Sequence, residues 1–258
     1  YAKLNIDTEL MAMPLRGNIG IQVIETDQSS TANTLRAWPF ADLVPLTDGK
    51  KYTDYLPSVN LAWSLPDQQF IRFGAGKTLA RAKLNQLNAA LEVGLTAQTT
   101  GTPWGNGGNA QLDPWRAKQA DLSYEKYFGN KGYISAAGFY KDLSSYIYTV
   151  TMPRDFSEYR LEGATTNIGT LTQPRNGEGG SIRGLEFAVS APLDMLHPML
   201  DGFGVTANAS FTNSQITILD QRFSGVNIPL PGLSKRVFNV TAYYEKDGFS
   251  ARVSQRYR

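Results

Sequence analysis

The stretch from Ala120 to Leu143, ADLSYEKYFGNKGYISAAGFYKDL, limits what this chain can become. Its first arm sets Leu122, Tyr124 and Phe128 against Asp121, Ser123 and Glu125. Successive side chains of a strand point to opposite faces, so this arm has one apolar and one polar face. Gly129-Asn130-Lys131-Gly132 supplies a tight turn from residues that tolerate positive φ. Strands in soluble proteins run to about 5–6 residues. Arms of about ten residues, with Tyr127, Phe128 and Tyr133 beside the turn, match a strand that crosses a bilayer and anchors at its edge.

The same unit recurs. Alternation predicts strands over Tyr1–Thr8, Gly17–Asp27, Tyr52–Leu65, Gln69–Thr78, Gln119–Phe128, Gly132–Val150, Gly180–Ala191, Gly202–Thr217, Lys235–Glu245 and Gly248–Tyr257. Val205, Ala207, Ala209 and Phe211 against Thr206, Asn208, Ser210 and Thr212 is the cleanest instance. The connections alternate short and long. Met11–Arg16, Pro66–Gln68, Gly129–Gly132, Pro192–Asp201 and Lys246–Gly248 are short. Gln28–Lys50, Leu79–Trp115, Thr151–Glu178 and Thr217–Leu233 are long and are read as loops. Within Leu79–Trp115, the run Gly101–Gly108 is too rich in glycine and proline to be a strand. A membrane barrel keeps such an order, because its turns are short on one side and its loops long on the other. The expectation is therefore an all-β, antiparallel transmembrane barrel fragment of about ten strands. Leu61, Trp63, Ile71, Phe73, Leu122, Tyr124, Leu185, Phe187, Val205, Phe211, Val240 and Phe249 are expected to face lipid.

Composition removes several alternatives. Hydrophobic residues are 41% of the 258, yet no apolar run approaches the length of a spanning helix. The formal net charge is only +2, with both signs spread along the chain, so nucleic acid is not an expected partner. Cysteine is absent, which excludes disulfides and thiolate metal sites. Tyr1–Leu10 already alternates instead of opening on a charged and then apolar leader. The final residues alternate as well, so the chain is expected to be a piece of something larger.

The residues resemble a known family. Tyr55-Leu56-Pro57-Ser58-Val59-Asn60-Leu61 resembles the LPSxNL strand of the TonB-dependent outer-membrane receptors, and Phe73–Arg81 its return strand, with Ala82 where proline is usual. Leu112-Asp113-Pro114-Trp115-Arg116-Ala117 followed by Asp121–Phe128 resembles the family's NPxLxPxxAxxxDLSxEYYF block, with Asn109-Ala110 in place of the initial Asn-Pro. Ile182–Glu186 resembles its G-x-E strand, and Ser234-Lys235 with Asn239 a later strand start. The order and spacing of these blocks are specific. The resemblance covers nearly the whole chain and implies a wide barrel of about 22 strands closed by a plug. Residues 1–258 would be part of its C-terminal half, without plug, TonB box, signal peptide or final strands. It implies the outer membrane of a Gram-negative bacterium and transport of a siderophore or carbohydrate with TonB-transduced energy, the blocks leaning toward the carbohydrate-uptake group. Outer-membrane lipid, the TonB complex, a small-molecule nutrient and a surface lipoprotein are the partners implied. A passive porin is the alternative, and a soluble all-β binding protein a weaker one.

No catalytic, cofactor or metal site is expected. His197 is the only histidine and lies in the turn Pro192–Pro198, where a Ser-His-Asp arrangement with Asp194 has no adjacent strands to build on. Gly105-Asn106-Gly107-Gly108 and Gly177-Glu178-Gly179-Gly180 do not open helices, so they are read as flexible loops, not phosphate cradles. The sequons at Asn208 and Asn239 fall within predicted strands and are read as chance. Ligand contacts are expected from the long loops. Trp38, Trp104 and Tyr159 can stack on rings, and Arg154, Arg160, Arg175 and Arg222 can hold carboxylates or phosphates. Each competes with the plainer role of loop residue or interface anchor. Asn60, Arg72, Glu125, Glu186, Asn208 and Arg252 fall on the polar face and would line the lumen or simply fill the wall.

Overall fold

The computed structural model describes residues 1–36, 42–97, 100–129, 132–217 and 227–258. Fifteen strands join in one sheet. Ten form a wall: β1 (Ala2–Leu10), β2 (Met13–Arg36), β3 (Asp42–Leu65), β4 (Gln69–Ala80), β7 (Trp115–Phe128), β8 (Gly132–Leu143), β11 (Gly180–Pro192), β12 (Phe203–Thr217), β14 (Arg236–Lys246) and β15 (Phe249–Tyr257). Each pairs antiparallel with the next in that order. The other five lie in the long connections: β5 (Leu91–Leu95), β6 (Pro103–Gly107), β9 (Tyr146–Asp155), β10 (Ile168–Gly177) and β13 (Asn227–Ile228). Three 3-10 turns, at Ser157–Tyr159, Leu193–Met195 and Pro198–Leu200, complete the described elements. Among the described residues the wall is an open arc, with β1 paired only to β2 and β15 only to β14.

Register explains the alternation. One row runs Ile6, Gly17, Leu61, Phe73, Leu122, Gly138, Leu185, Phe211. The adjacent one runs Leu15, Trp63, Ile71, Tyr124, Ala136, Phe187, Ala209, Phe238. Paired residues share a face, so these rows tile one continuous apolar surface. None of the twelve residues expected to face lipid is in the buried core, and Leu122 and Leu185 are 56% and 54% exposed. On β3 the apolar face runs from Tyr55 through Pro57, Val59, Leu61 and Trp63 to Leu65. Ten steps at about 3.4 Å, tilted by about 40°, give a height of roughly 26 Å, the apolar band of an outer-membrane barrel. Above it the same face turns polar at Thr53 and Lys51, where Lys51 pairs with Asp27 at 2.7 Å. A sheet suits this surface because the backbone groups of its inner strands are satisfied between neighbours, which leaves unpaired groups at the two edges, β1 and β15.

The connections leave the wall at alternate ends. Met11 and Ala12, with φ of 53° and 59°, make a two-residue turn between Leu10 and Met13. Asp247 and Gly248, with φ of 52° and 81°, do the same between Lys246 and Phe249. Left-handed φ at both central residues matches the twist of the strands. Pro14 therefore lies in β2, not in a turn reaching Arg16. Asn130 and Lys131, expected to form a tight turn, lie outside the described residues.

The long connections depart from expectation. Gln28–Lys50 is largely the upper part of the β2–β3 hairpin, whose pairing runs from Leu15↔Trp63 to Arg36↔Asp42. Pro103–Gly107 is a strand despite its glycines: it lies between β5 and β10, where close approach favours small residues. Gly105 marks the reason, because a Cβ there would sit 3.0 Å from the Phe156 ring and 3.1 Å from Leu171. Thr151–Glu178 holds the end of β9, a 3-10 turn and β10. The run expected to reach Val150 breaks at Ser144-Ser145, where β9 leaves the wall to pair with β10. Gly177–Gly180 is a close crossing and not a flexible loop. Gly179 has φ +83°, and a Cβ on it would meet the Leu143 carbonyl oxygen at 1.9 Å. Only glycine fits both demands.

Candidate functional site

The candidate site lies at the long-connection end, on the polar face of the wall. Above the apolar band, the hairpin presents Thr26, Gln28 and Ser30 on β2 with Lys50, Tyr52 and Asp54 on β3. The segment from Leu84 to Arg116 docks there. The Gln28 amide donates to the Ala110 and Leu112 carbonyls at 2.9 and 2.8 Å, and the Ala89 N–H donates to Ser30 Oγ at 3.0 Å. Arg116 sits between two carboxylates. It donates to Asp54 from Nε at 2.5 Å and Nη2 at 3.3 Å, and to Asp113 from Nη1 at 3.4 Å. Lys50 Nζ reaches the other Asp113 oxygen at 2.6 Å. Asn176 on β10 closes the junction: its side chain accepts from the Asp113 N–H and donates to the Asp113 carbonyl, both at 2.9 Å. Asp54 is only 6% exposed, so this carboxylate depends on its partner.

Beyond the junction, β5, β6, β10 and β9 form a small sheet that joins β2 through a parallel pairing of Thr34–Arg36 with Leu91–Val93. Its core is Leu91, Val93, Leu171 and Phe156, flanked by Met152, Tyr159 and Leu161. Arg154 and Tyr159 meet over it. The Arg154 guanidinium lies 5.6 Å from both the Phe156 and Tyr159 ring centres, pairs with Glu158 at 2.7 Å and donates to the Tyr159 hydroxyl at 3.4 Å. Burial raises the Tyr159 phenol above its usual range, partly offset by Arg154. Asp155, accepting from the Ser157 N–H at 2.8 Å, is held below the usual carboxylate range by that bond.

The remaining loop residues are spread out. Trp104 shares a face with Thr170 and Pro153, opposite the Arg154 face, and its indole N–H donates to the Leu95 carbonyl at 3.0 Å. Arg160 is exposed in a left-handed conformation, φ 45°. Arg175 is exposed opposite Tyr148, with the Gln173 amide oxygen 3.0 Å from its Nε once that amide is oriented to accept. Trp38 and Arg222 lie outside the described residues. The structure thus brings Arg154 and Tyr159 together and leaves Trp104, Arg160 and Arg175 apart.

Asn60, Arg72, Glu125, Glu186, Asn208 and Arg252 all fall on the polar face of the wall. Arg72 Nε reaches both Glu125 oxygens, at 3.1 and 3.2 Å, and the Tyr127 hydroxyl donates to Glu125 at 3.0 Å. Asn60 donates to Asn18 at 3.3 Å, and Asn208 accepts from Asn239 at 2.7 Å. Glu186 and Arg252 are exposed. A groove of about 590 Å³ runs along this face past Arg16, Asn60, Arg72, Asp121, Phe139 and Glu186. At the opposite end His197 is exposed, and its Nδ1 accepts from the Met199 N–H at 3.1 Å, capping a 3-10 turn.

Sequence reasoning passed over the junction residues Lys50, Asp54, Asp113, Arg116 and Asn176, and the aromatic run Trp115, Tyr146 and Tyr148, whose neighbouring centroids are 4.8 and 6.0 Å apart. The Asp113–Arg116 spacing of three was the one available hint. Asp54 and Asn176 come from strands far away in sequence and carry no local signal.

Comparison with known proteins supplies the context. Residues 1–258 match the TonB dependent receptor-like, β-barrel family. The structure is similar to a mutant of the ferric enterobactin receptor from Pseudomonas aeruginosa in complex with enterobactin, with TM-score 0.60 and 15% identity over 98% of this chain and 40% of that one. It is also similar to the siderophore receptor PirA from Acinetobacter baumannii, with TM-score 0.53 and 14% identity over 94% of this chain and 39% of that one. The siderophore receptor PirA from Pseudomonas aeruginosa gives TM-score 0.54 and 14% identity, covering 98% of this chain and 46% of that one. This chain therefore spans less than half the length of these receptors, and at such identities the likeness is one of fold. A search of curated proteins found no match.

Proposed function

Since the chain belongs to the TonB-dependent receptor-like β-barrel family, matched over residues 1–258, we propose that it is part of the wall and mouth of an outer-membrane receptor that takes up a scarce nutrient. The observation that carries this reading is the ten-strand antiparallel wall, apolar on one face, with the long connections gathered at one end over its polar face. Such a wall suits lipid on one side and a wet passage on the other. Transport would be driven through the TonB complex, with residues 1–258 as one stretch of the barrel domain. The solved relatives named above are siderophore receptors, so a ferric siderophore is the first cargo to test and a carbohydrate the second. Ligand contact would come from the small sheet at the mouth, with Arg154 and Tyr159 as its paired cation and ring, and with Trp104, Arg160 and Arg175 around it. Asn60, Arg72, Glu125, Glu186, Asn208 and Arg252 would line the path below.

The test is uptake of iron-labelled siderophores and of labelled oligosaccharides by cells producing the full-length protein, with and without TonB. Saturable uptake that collapses in the strain lacking TonB supports the reading. Uptake that persists there and rises linearly with external solute replaces it with a passive porin.

A further inference from the structure

Trp115, Tyr146 and Tyr148 lie between the two places described above. Trp115 opens β7 on the face that carries Asp121 and Ser123, two residues of the polar-face groove. Tyr146 and Tyr148 open β9, on the same face as Arg154 near its far end. The three rings therefore form a row that leads from the Arg154–Tyr159 cluster at the mouth toward the groove in the wall. The Trp115 and Tyr146 ring centres are 4.8 Å apart, and the Tyr146 and Tyr148 rings lie 6.0 Å apart and within 14° of parallel. Gly177, opposite Tyr146 on β10, makes the second pair possible, because a Cβ there would meet Tyr148 Cε1 at 2.5 Å. All three rings are half-buried, so each keeps part of its surface open. Among the described residues, neither the Trp115 indole N–H nor the Tyr146 hydroxyl has a hydrogen-bond partner. Arg175 is exposed across the ladder from Tyr148.

We propose that this row binds a sugar chain, whose pyranose rings stack in turn on Tyr148, Tyr146 and Trp115 on the way from the mouth to the groove. The inference rests on the receptor reading above and names the cargo class for it. A pyranose presents C–H bonds on its faces and hydroxyls around its rim. It therefore needs flat apolar surface with a few polar groups beside it. The row supplies the surface, and the Trp115 N–H, the Tyr146 hydroxyl and Arg175 supply the polar groups. Burial raises the Tyr146 phenol above its usual range, which keeps it a neutral donor. Consecutive rings suit a chain of repeating units better than one compact ligand. An anionic iron chelate would instead call for cations converging on one point. Here Arg154 is paired with Glu158 at 2.7 Å, Arg116 is held by Asp54 and Asp113, and Arg160 and Arg175 stand apart.

The experiment uses the full-length protein in a neutral detergent, titrated separately with maltotetraose, cellotetraose and xylotetraose, with glucose and xylose, and with ferric enterobactin. Isothermal calorimetry reads the affinities. At least one tetrasaccharide is expected to bind about tenfold more tightly than its monosaccharide, because each added unit finds another ring. The combined Trp115→Ala and Tyr146→Ala variant should lose that advantage. Met199→Gln, exposed at the opposite end, should keep it. No binding of any tetrasaccharide overturns the proposal, as does equal binding of tetrasaccharide and monosaccharide. A double variant that folds and still prefers the longer chain also overturns it. If the double variant does not fold, the comparison of chain lengths on the parent protein decides. TonB-dependent uptake of ferric enterobactin by a protein that binds no tetrasaccharide leaves the receptor reading standing and overturns this one. Tetrasaccharide binding with uptake that persists without TonB does the reverse.

Discussion

Arg116→Met should loosen the small sheet at the mouth without disturbing the wall. Arg116 makes two charged hydrogen bonds to Asp54, at 2.5 and 3.3 Å, and a longer one to Asp113 at 3.4 Å. Methionine keeps much of the stem's packing but leaves Asp54 buried without its cation. Breaking a buried pair from one side costs about 3–5 kcal/mol. The Arg116 side chain is 32% exposed, so water compensates part of this, and about 2–3 kcal/mol is the expected loss. That raises the local opening constant by roughly 30–150-fold, at tenfold per 1.4 kcal/mol. Hydrogen exchange on the full-length protein in micelles would read it as faster exchange across Leu91–Gly107, with β7, β8, β11 and β12 unchanged. Arg116→Met combined with Asp54→Leu, which removes both charges, should recover much of the protection. Unchanged exchange over Leu91–Gly107 in the single variant would refute the assignment of this ion pair as the latch. Equal loss of protection in the wall would show that the sheet and wall do not open separately.

Gly179→Ala should impair assembly by about 3 kcal/mol or more, since it adds strain at positive φ to a clash with the Leu143 carbonyl, and heat-dependent gel mobility of the folded barrel would read it. Leu185→Arg on the apolar face should cost about 2–4 kcal/mol in folding into lipid vesicles, and Ser123→Arg on the polar face close to nothing, by urea titration. Equal costs would contradict the assignment of faces. Because Asp155 is depressed below 3.8 by the Ser157 N–H, its contribution to the 157–159 turn is fully present above that value. It should be lost as pH falls through the still lower folded pKa, and exchange at the Ser157 amide should follow this profile.

The wall was legible in the sequence because a strand in lipid leaves a period-two record in every residue. Val205 to Thr212 could be assigned to two faces by reading alone, and each of the ten predicted segments overlaps one wall strand, although Gly132–Val150 also runs on into β9 and the upper halves of β2 and β3 read as loop. Local chemistry also marked where the chain reverses, as at Asp247-Gly248. The mouth was not legible. Pro103-Trp104-Gly105-Asn106-Gly107 carries no strand pattern, because its glycines answer to the Phe156 ring and to Leu171 and not to its own neighbours. β9 and β10 are strands because they find each other and β6, a pairing between segments that the sequence keeps far apart. The junction shows the same division. Arg116 was visible within a family block, but its partner Asp54 stands 62 residues earlier. The clamp on Asp113 comes from Asn176, which is 63 residues later. By itself the sequence determined periodicity, turns and the two faces, which depend on each residue and its near neighbours. Only the tertiary structure decided how the long connections fold over the polar face, because that depends on which distant side chains satisfy a buried charge.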